Sequence, residues 1–189
     1  MGEALKRGLA FLSQLGEGLP NNLSQEELDE QTQHTIAFAM TITPEHILNY
    51  KRMTDPTKAT VIRVLAQLLL ISHHAKAALY PYFLIKMVSI TFSHGLSPQA
   101  PTTFSAFGSY LANHANSRAD IELGARFIMI GKSLINQLDA SDYEGSVMIA
   151  EANTKCYLEP APAALELMLE GERRVRAHAA GILLVEYVI

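Results

Sequence analysis

Gly131-Lys132-Ser133 is the nearest this chain comes to a phosphate-binding loop, and Arg126 stands where the first glycine of such a loop belongs. The loop works through glycine backbone conformations that turn successive N–H groups toward phosphate after a strand. Arg126 to Ile130 reads instead as helix, so Lys132 and Ser133 are expected on a helix surface. The seven histidines do not assemble a metal site by spacing. His73 and His74 are adjacent and point to different sides of a helix, while His34, His46, His94, His114 and His178 are far apart and lack Cys, Asp or Glu at ligand spacing. Cys156 closes an apolar helical stretch with no neighbouring His to lower its thiol pKa, which reads as an inert buried thiol. Glu170, Glu172, Arg173, Arg174 and Arg176 form a mixed charge run whose pairs three and four apart suit a solvated helix face. No catalytic, cofactor-binding or metal-ligating residue is assigned on these grounds, and no cofactor is expected.

The elements that would position any such residue are helices. Ser24 and Glu27 make a capping box before Leu28, after the breakers Gly16, Gly18, Pro20 and Asn21, so one helix should end near Leu15 and the next begin near Ser24. Asp55-Pro56 places a capping carboxylate before a first-turn proline and predicts a helix to about His73, with Val61, Val64, Leu65, Leu68 and Leu69 on its buried face. Gly95 should stop the helix carrying Phe83, Met87 and Ile90, and Ser97-Pro98 should start the next. Further helices are expected near Pro98 to Ala115, Ala119 to Leu138, Asp142 to Tyr157 and Pro162 to Ala179. Their short connections force neighbours to run antiparallel. Ile182 to Ile189 is the one β-branched run, read here as a continuing helix.

An internal repeat organises the later half. Gly124, Ile128 and Gly131 have the mutual spacing of Ala164, Met168 and Gly171 forty residues on, and Leu111-Ala112 is echoed by Ile149-Ala150 at thirty-eight. Small residues so placed let helices approach closely, and a period near forty suits stacked helical hairpins. Leu111, Ala112, Gly124 and Gly131 fall where the tetratricopeptide pattern has its leucine and small residues. The opening tryptophan of that pattern is missing, and Asn136 stands at its proline position. The expected fold is all-α, with antiparallel helical hairpins stacked as a tetratricopeptide-like solenoid in a single segment over residues 1–189.

Composition narrows the partners. With 49% hydrophobic residues the chain can bury a sizeable core, and a net charge of −4 with scattered basic residues argues against nucleic acid. One cysteine fits a reducing, cytoplasmic compartment. Met1 to Leu15 carries Glu3, Lys6 and Arg7 and does not read as a secretory signal, and Lys6 stands where myristoylation wants Ser or Thr. Asn22-Leu23-Ser24 matches a glycosylation acceptor, of little weight without an export signal. Arg63 and Gln67 interrupt Val61 to Ile71, Pro81 and Lys86 interrupt Ala77 to Phe92, and neither run is long enough to span a bilayer.

Met53-Thr54-Asp55-Pro56, Val61-Ile62-Arg63-Val64-Leu65, Lys86-Met87-Val88, His94-Gly95-Leu96-Ser97-Pro98 and Gly124-Ala125-Arg126-Phe127 follow one another in this order. The ordered set, over about residues 5 to 175, resembles the helical-repeat region of large multi-domain signalling proteins. Those proteins join a Ser/Thr kinase-like domain, a predicted P-loop ATPase, the helical segment, a GAF sensor and a histidine kinase. The chain departs from the family pattern at Glu159-Pro160-Ala161-Pro162 and at Gly181-Ile182-Leu183-Leu184. The resemblance implies that the kinase and ATPase motifs lie elsewhere in a larger parent chain and carries no catalytic residue over to this one.

The expected function is a non-catalytic scaffold or relay between ATPase and sensor domains of a histidine kinase-type signal transduction protein, with protein partners. The alternatives are a free-standing adaptor that binds a peptide or protein and, less favoured, a small all-helical enzyme around His73, His74 and Cys156. The apolar ending from Ile182 to Ile189 gives an expectation of self-association through open end faces. Gly131 is expected at a close contact with the helix carrying Leu111 and Ala112, where leucine would be disruptive and alanine tolerable.

Overall fold

The computed structural model describes residues 2–18, 24–75 and 79–188, and the side chains among them except those of 73–75 and 179–188. The glycosylation acceptor, the breakers Pro20 and Asn21, and the side chains of His73, His74 and 182–189 lie outside the described residues. Among the described residues the chain is all-helical, and the only β pairing is an isolated bridge between Arg52 and Leu96. It divides into two compact units, Met1–Gln99 and Ala100–Ile189.

The first unit holds α1 (Glu3–Gln14), α2 (Gln25–Met40), α3 (Pro44–Leu48), α4 (Pro56–Ala75) and α5 (Tyr80–His94). Ser24 and Glu27 form the expected capping box at α2. The Asp55 carboxylate accepts hydrogen bonds from the Thr57 and Lys58 amides at 2.9 and 3.1 Å, so α4 starts where the sequence places it. Val61, Ile62, Leu65, Ala66, Leu68 and Leu69 are buried on α4, with Ile62 in place of the half-buried Val64 in the expected stripe. α5 is packed against both α2 and α4, and α1 against α4.

Gly95 ends α5 with φ 107°, and a Cβ there would stand 2.5 Å from the Lys51 carbonyl oxygen. That closeness lets the Leu96 amide donate to the Lys51 carbonyl and the Met53 amide donate to the Leu96 carbonyl, each at 2.9 Å. Two segments that carry the family resemblance, Met53 to Pro56 and His94 to Pro98, are thereby clasped together, a pairing that spacing alone does not reveal.

The second unit holds α6 (Ala100–Asn113), α7 (Arg118–Leu138), a 3₁₀ turn (Ser141–Tyr143), α8 (Glu144–Lys155) and α9 (Ala161–Val188). Ser117 and Asp120 form a capping box that fixes the start of α7. α6 packs on α7, α8 on α9, and α8 also lies against α6 and α7. A Cβ on Gly124 would meet the Gly108 carbonyl oxygen at 2.4 Å, and one on Gly131 would meet the Pro101 carbonyl oxygen at 2.5 Å. Partners that descend along α6 while numbers rise along α7 mean that the two helices run antiparallel. Gly145 and Gly171 do the same for α8 and α9, each facing the other's carbonyl.

Gly131 therefore sits at a close helix contact, as expected, but its partners are Pro101 and Ser105, while Ala112 opposes Gly124. A carbon added at 131 would meet fixed backbone rather than a yielding side chain, which argues against the expectation that alanine is tolerable there.

Candidate functional site

Among the described residues, those singled out for chemistry are not gathered at one place. Lys132 projects from α7 to pair with Glu151 of α8 at 2.9 Å, and the Ser133 hydroxyl donates to the Met129 carbonyl one turn back at 3.0 Å. Both are ordinary partners on a helix surface. His34, His46, His114 and His178 are exposed and His94 is half-buried. Cys156 corrects the sequence reading: it is exposed, because α8 ends at Lys155 and the thiol belongs to the cap residue beyond the buried face. The charge run behaves as a solvated face within α9, where Arg173 and Arg174 pair with Glu170 and Arg176 with Glu172. Arg174 also reaches Glu144, which adds a tie between α9 and α8.

The feature that does bring chemistry together lies in the first unit, between α2 and α5. Gly18, Glu30, Gln31, His34, Thr35, Tyr82, Ile85, Lys86 and Ser89 surround a cavity of about 490 Å³. A second hollow of about 210 Å³ shares His34, Thr35 and Ser89 and continues to Phe38, Phe92 and Ser93. The two make one groove because they share those three residues. One end is polar and the other aromatic, with the Phe38 and Phe92 rings edge to face at 5.3 Å.

The polar end is built on Glu17. Its carboxylate pairs with Lys58 of α4 and, at 2.8 Å, with Lys86 of α5. Lys86 also donates to the Tyr82 hydroxyl at 3.4 Å, and that hydroxyl donates to the Gly18 carbonyl at 3.4 Å. Burial pushes the Glu17 carboxyl up, but the two ammonium groups outweigh it and hold it below its ordinary value of 4.5. Burial pulls Lys86 down, and Glu17 together with Tyr82 outweighs that, leaving it above 10.5.

Sequence reasoning does not single out Glu17, Lys58, Tyr82 or Glu30. A signal is present for one of them, Glu17, which lies between two glycines in a turn, and for its partner Lys86, which interrupts an apolar run. A cation in a buried stretch calls for a counter-charge, but its location, 69 residues away in the chain, is set by tertiary packing.

Among the described residues no helix is long and apolar enough to cross a membrane, and no cluster of His, Cys, Asp and Glu forms a metal site. Comparisons with family models, with curated proteins and with solved structures find no match to this chain.

Proposed function

We propose that the chain is a non-catalytic helical-repeat scaffold, with hairpins stacked in the tetratricopeptide manner, that relays between the ATPase and sensor parts of a cytoplasmic histidine kinase-type signalling protein. The observation that carries the repeat reading is the way both hairpins of the second unit close. Gly108 faces Gly124 across α6 and α7, Gly145 faces Gly171 across α8 and α9, and α8 lies against α6. Two successive hairpins that use one device and then lie side by side are what a repeat array requires. The signalling context rests on the ordered resemblance of residues 5 to 175.

The reading frame around the coding segment tests the relay. ATPase and GAF-type segments on its two sides support it, and those segments, expressed separately, should co-elute with this chain in size-exclusion chromatography. A frame with neither segment rejects the relay and leaves the adaptor, for which the α2–α5 groove supplies a binding surface.

A further inference from the structure

We propose that the groove between α2 and α5 is a docking site for an extended peptide that carries an arginine or lysine and, about four residues away, a large apolar side chain. The proposal rests on the scaffold reading and names the chemistry of one partner.

The charge argument begins on α2. Its first two turns carry Glu26, Glu27, Asp29 and Glu30 and no cation. Glu26 and Glu27 have a local reason to be there, since carboxylates in the first turn offset the helix dipole, and Glu27 closes the capping box. Glu30 has no such reason. It lies past the first turn, it is exposed, it lines the groove, and it makes no ion pair with any described residue. Across the groove, Lys86 is already committed to Glu17, as is Lys58. Among the described residues that line the groove, Glu30 is therefore the one carboxylate, and Lys86, the one ammonium group, is already neutralised by Glu17. A cation is favoured there, and an anion would have to displace Glu17.

The aromatic end sets the second requirement. Phe38 is 44% exposed although its ring contacts Phe92. Tyr50, outside the groove lining, contacts the same Phe92 ring at 6.2 Å. From Glu30 to Phe38 is eight residues of helix, which at 1.5 Å per residue is roughly 12 Å. An extended chain rises roughly 3.3 Å per residue, so four residues cover that length. The Ser89 side chain, with Gln31 and Thr35 opposite, puts hydroxyls and an amide along the walls for a peptide backbone.

Fluorescence anisotropy on the full chain is the test, with a labelled probe that places an arginine four residues before a leucine in a Ser/Gly background, and the same probe with the order reversed. At least one order should bind saturably, with affinity falling as salt rises. Glu30→Lys should weaken it at least tenfold, and Phe38→Ala several-fold. Both positions are exposed, so the fold should be kept, and circular dichroism checks that. Glu166→Lys, on the exposed face of the second unit, should change nothing. A probe with glutamate for arginine should not bind. No binding in either order, or binding that is indifferent to Glu30→Lys and Phe38→Ala, overturns the inference. If the flanking segments still co-elute in that case, the scaffold reading stands while this docking site falls. If they do not co-elute and the probe binds as described, the groove stands and the relay falls.

Discussion

Glu17 is one carboxylate asked to neutralise two lysines from different helices. It follows the left-handed Gly16, with φ 75°, and its amide donates to the Leu12 carbonyl at 2.8 Å, so the turn after α1 aims it back at α4 and α5. Removing its charge leaves Lys58 and Lys86 half-buried without a counter-ion, and Glu17→Gln should cost about 1–2 kcal/mol, less than a fully buried pair would. The pH dependence has a definite sign. A carboxyl whose folded pKa is held below its unfolded value contributes fully above the ordinary 4.5 and loses that contribution as pH falls through the lower folded value. Urea melts at pH 7 and pH 3 should therefore show a large gap between wild type and Glu17→Gln at pH 7 that narrows at pH 3. An equal gap at both would mean that lost packing, not charge, is the cause. Asp139 offers a second test at this scale. It is the one described non-glycine residue with positive φ, at 55°, where α7 ends. Asp139→Gly relieves a conformation that disfavours side chains and should keep or raise the melting temperature, whereas Asp139→Val should lower stability by about 1–2 kcal/mol.

The hairpin of α6 and α7 depends on side chains that are not there. At Gly131 a methyl group would lie 2.5 Å from the Pro101 carbonyl oxygen and 3.2 Å from the Ser105 amide nitrogen, and neither atom can rotate away. Alanine gains about 1 kcal/mol of helix propensity over glycine, while forcing two backbones apart costs roughly 1–3 kcal/mol. The second term wins where the obstacle is backbone, so Gly131→Ala should lower the melting temperature and Gly131→Leu should lower it further. A wild-type melting temperature for the alanine variant would show that the helices separate freely. The spacing of small residues at 124 and 131 is enough to find this contact, and the helix starts capped by Ser24 and Asp55 are legible from those residues. Other features lacked a local signal. Cys156 was assigned to a buried face because its neighbours are apolar, yet the helix ends one residue before it. The short α3 is an exception, with a local signal in the Thr43 hydroxyl that caps it and the Pro44 that opens it, whereas the clasp between Lys51 to Met53 and Leu96 depends on partners distant in sequence. The groove was hidden for the same reason, since Glu30 and Tyr82 belong to helices that meet only in the folded chain.

At the scale of the whole molecule, the second unit offers a test of how far the chain is built from self-sufficient parts. α6, α7, α8 and α9 have 14, 21, 12 and 28 residues, and isolated helices below about 12–15 residues are marginal in water. The two short ones, α6 and α8, must therefore take their stability from packing. That packing closes within Ala100–Ile189: α6 on α7, α8 on α9, and α8 on α6. Phe104 of α6 stacks on Phe127 of α7 and Phe107 meets the same ring edge to face, and Lys132 of α7 and Arg174 of α9 each pair with α8. A fragment of residues 100–189 should therefore be helical by circular dichroism and melt cooperatively. Within it, Gly145→Leu tests whether the second hairpin supports the first. A Cβ at Gly145 would lie 2.7 Å from the Gly171 carbonyl oxygen, so leucine must push α9 off α8. If the hairpins stabilise each other, the loss spreads through α8 to α6 and one transition shifts down by about 4–8 °C for each kcal/mol lost in a unit of this size. If they are independent, the melt splits in two, with the α6–α7 transition unmoved, and the side-by-side arrangement that a repeat scaffold needs contributes nothing to stability.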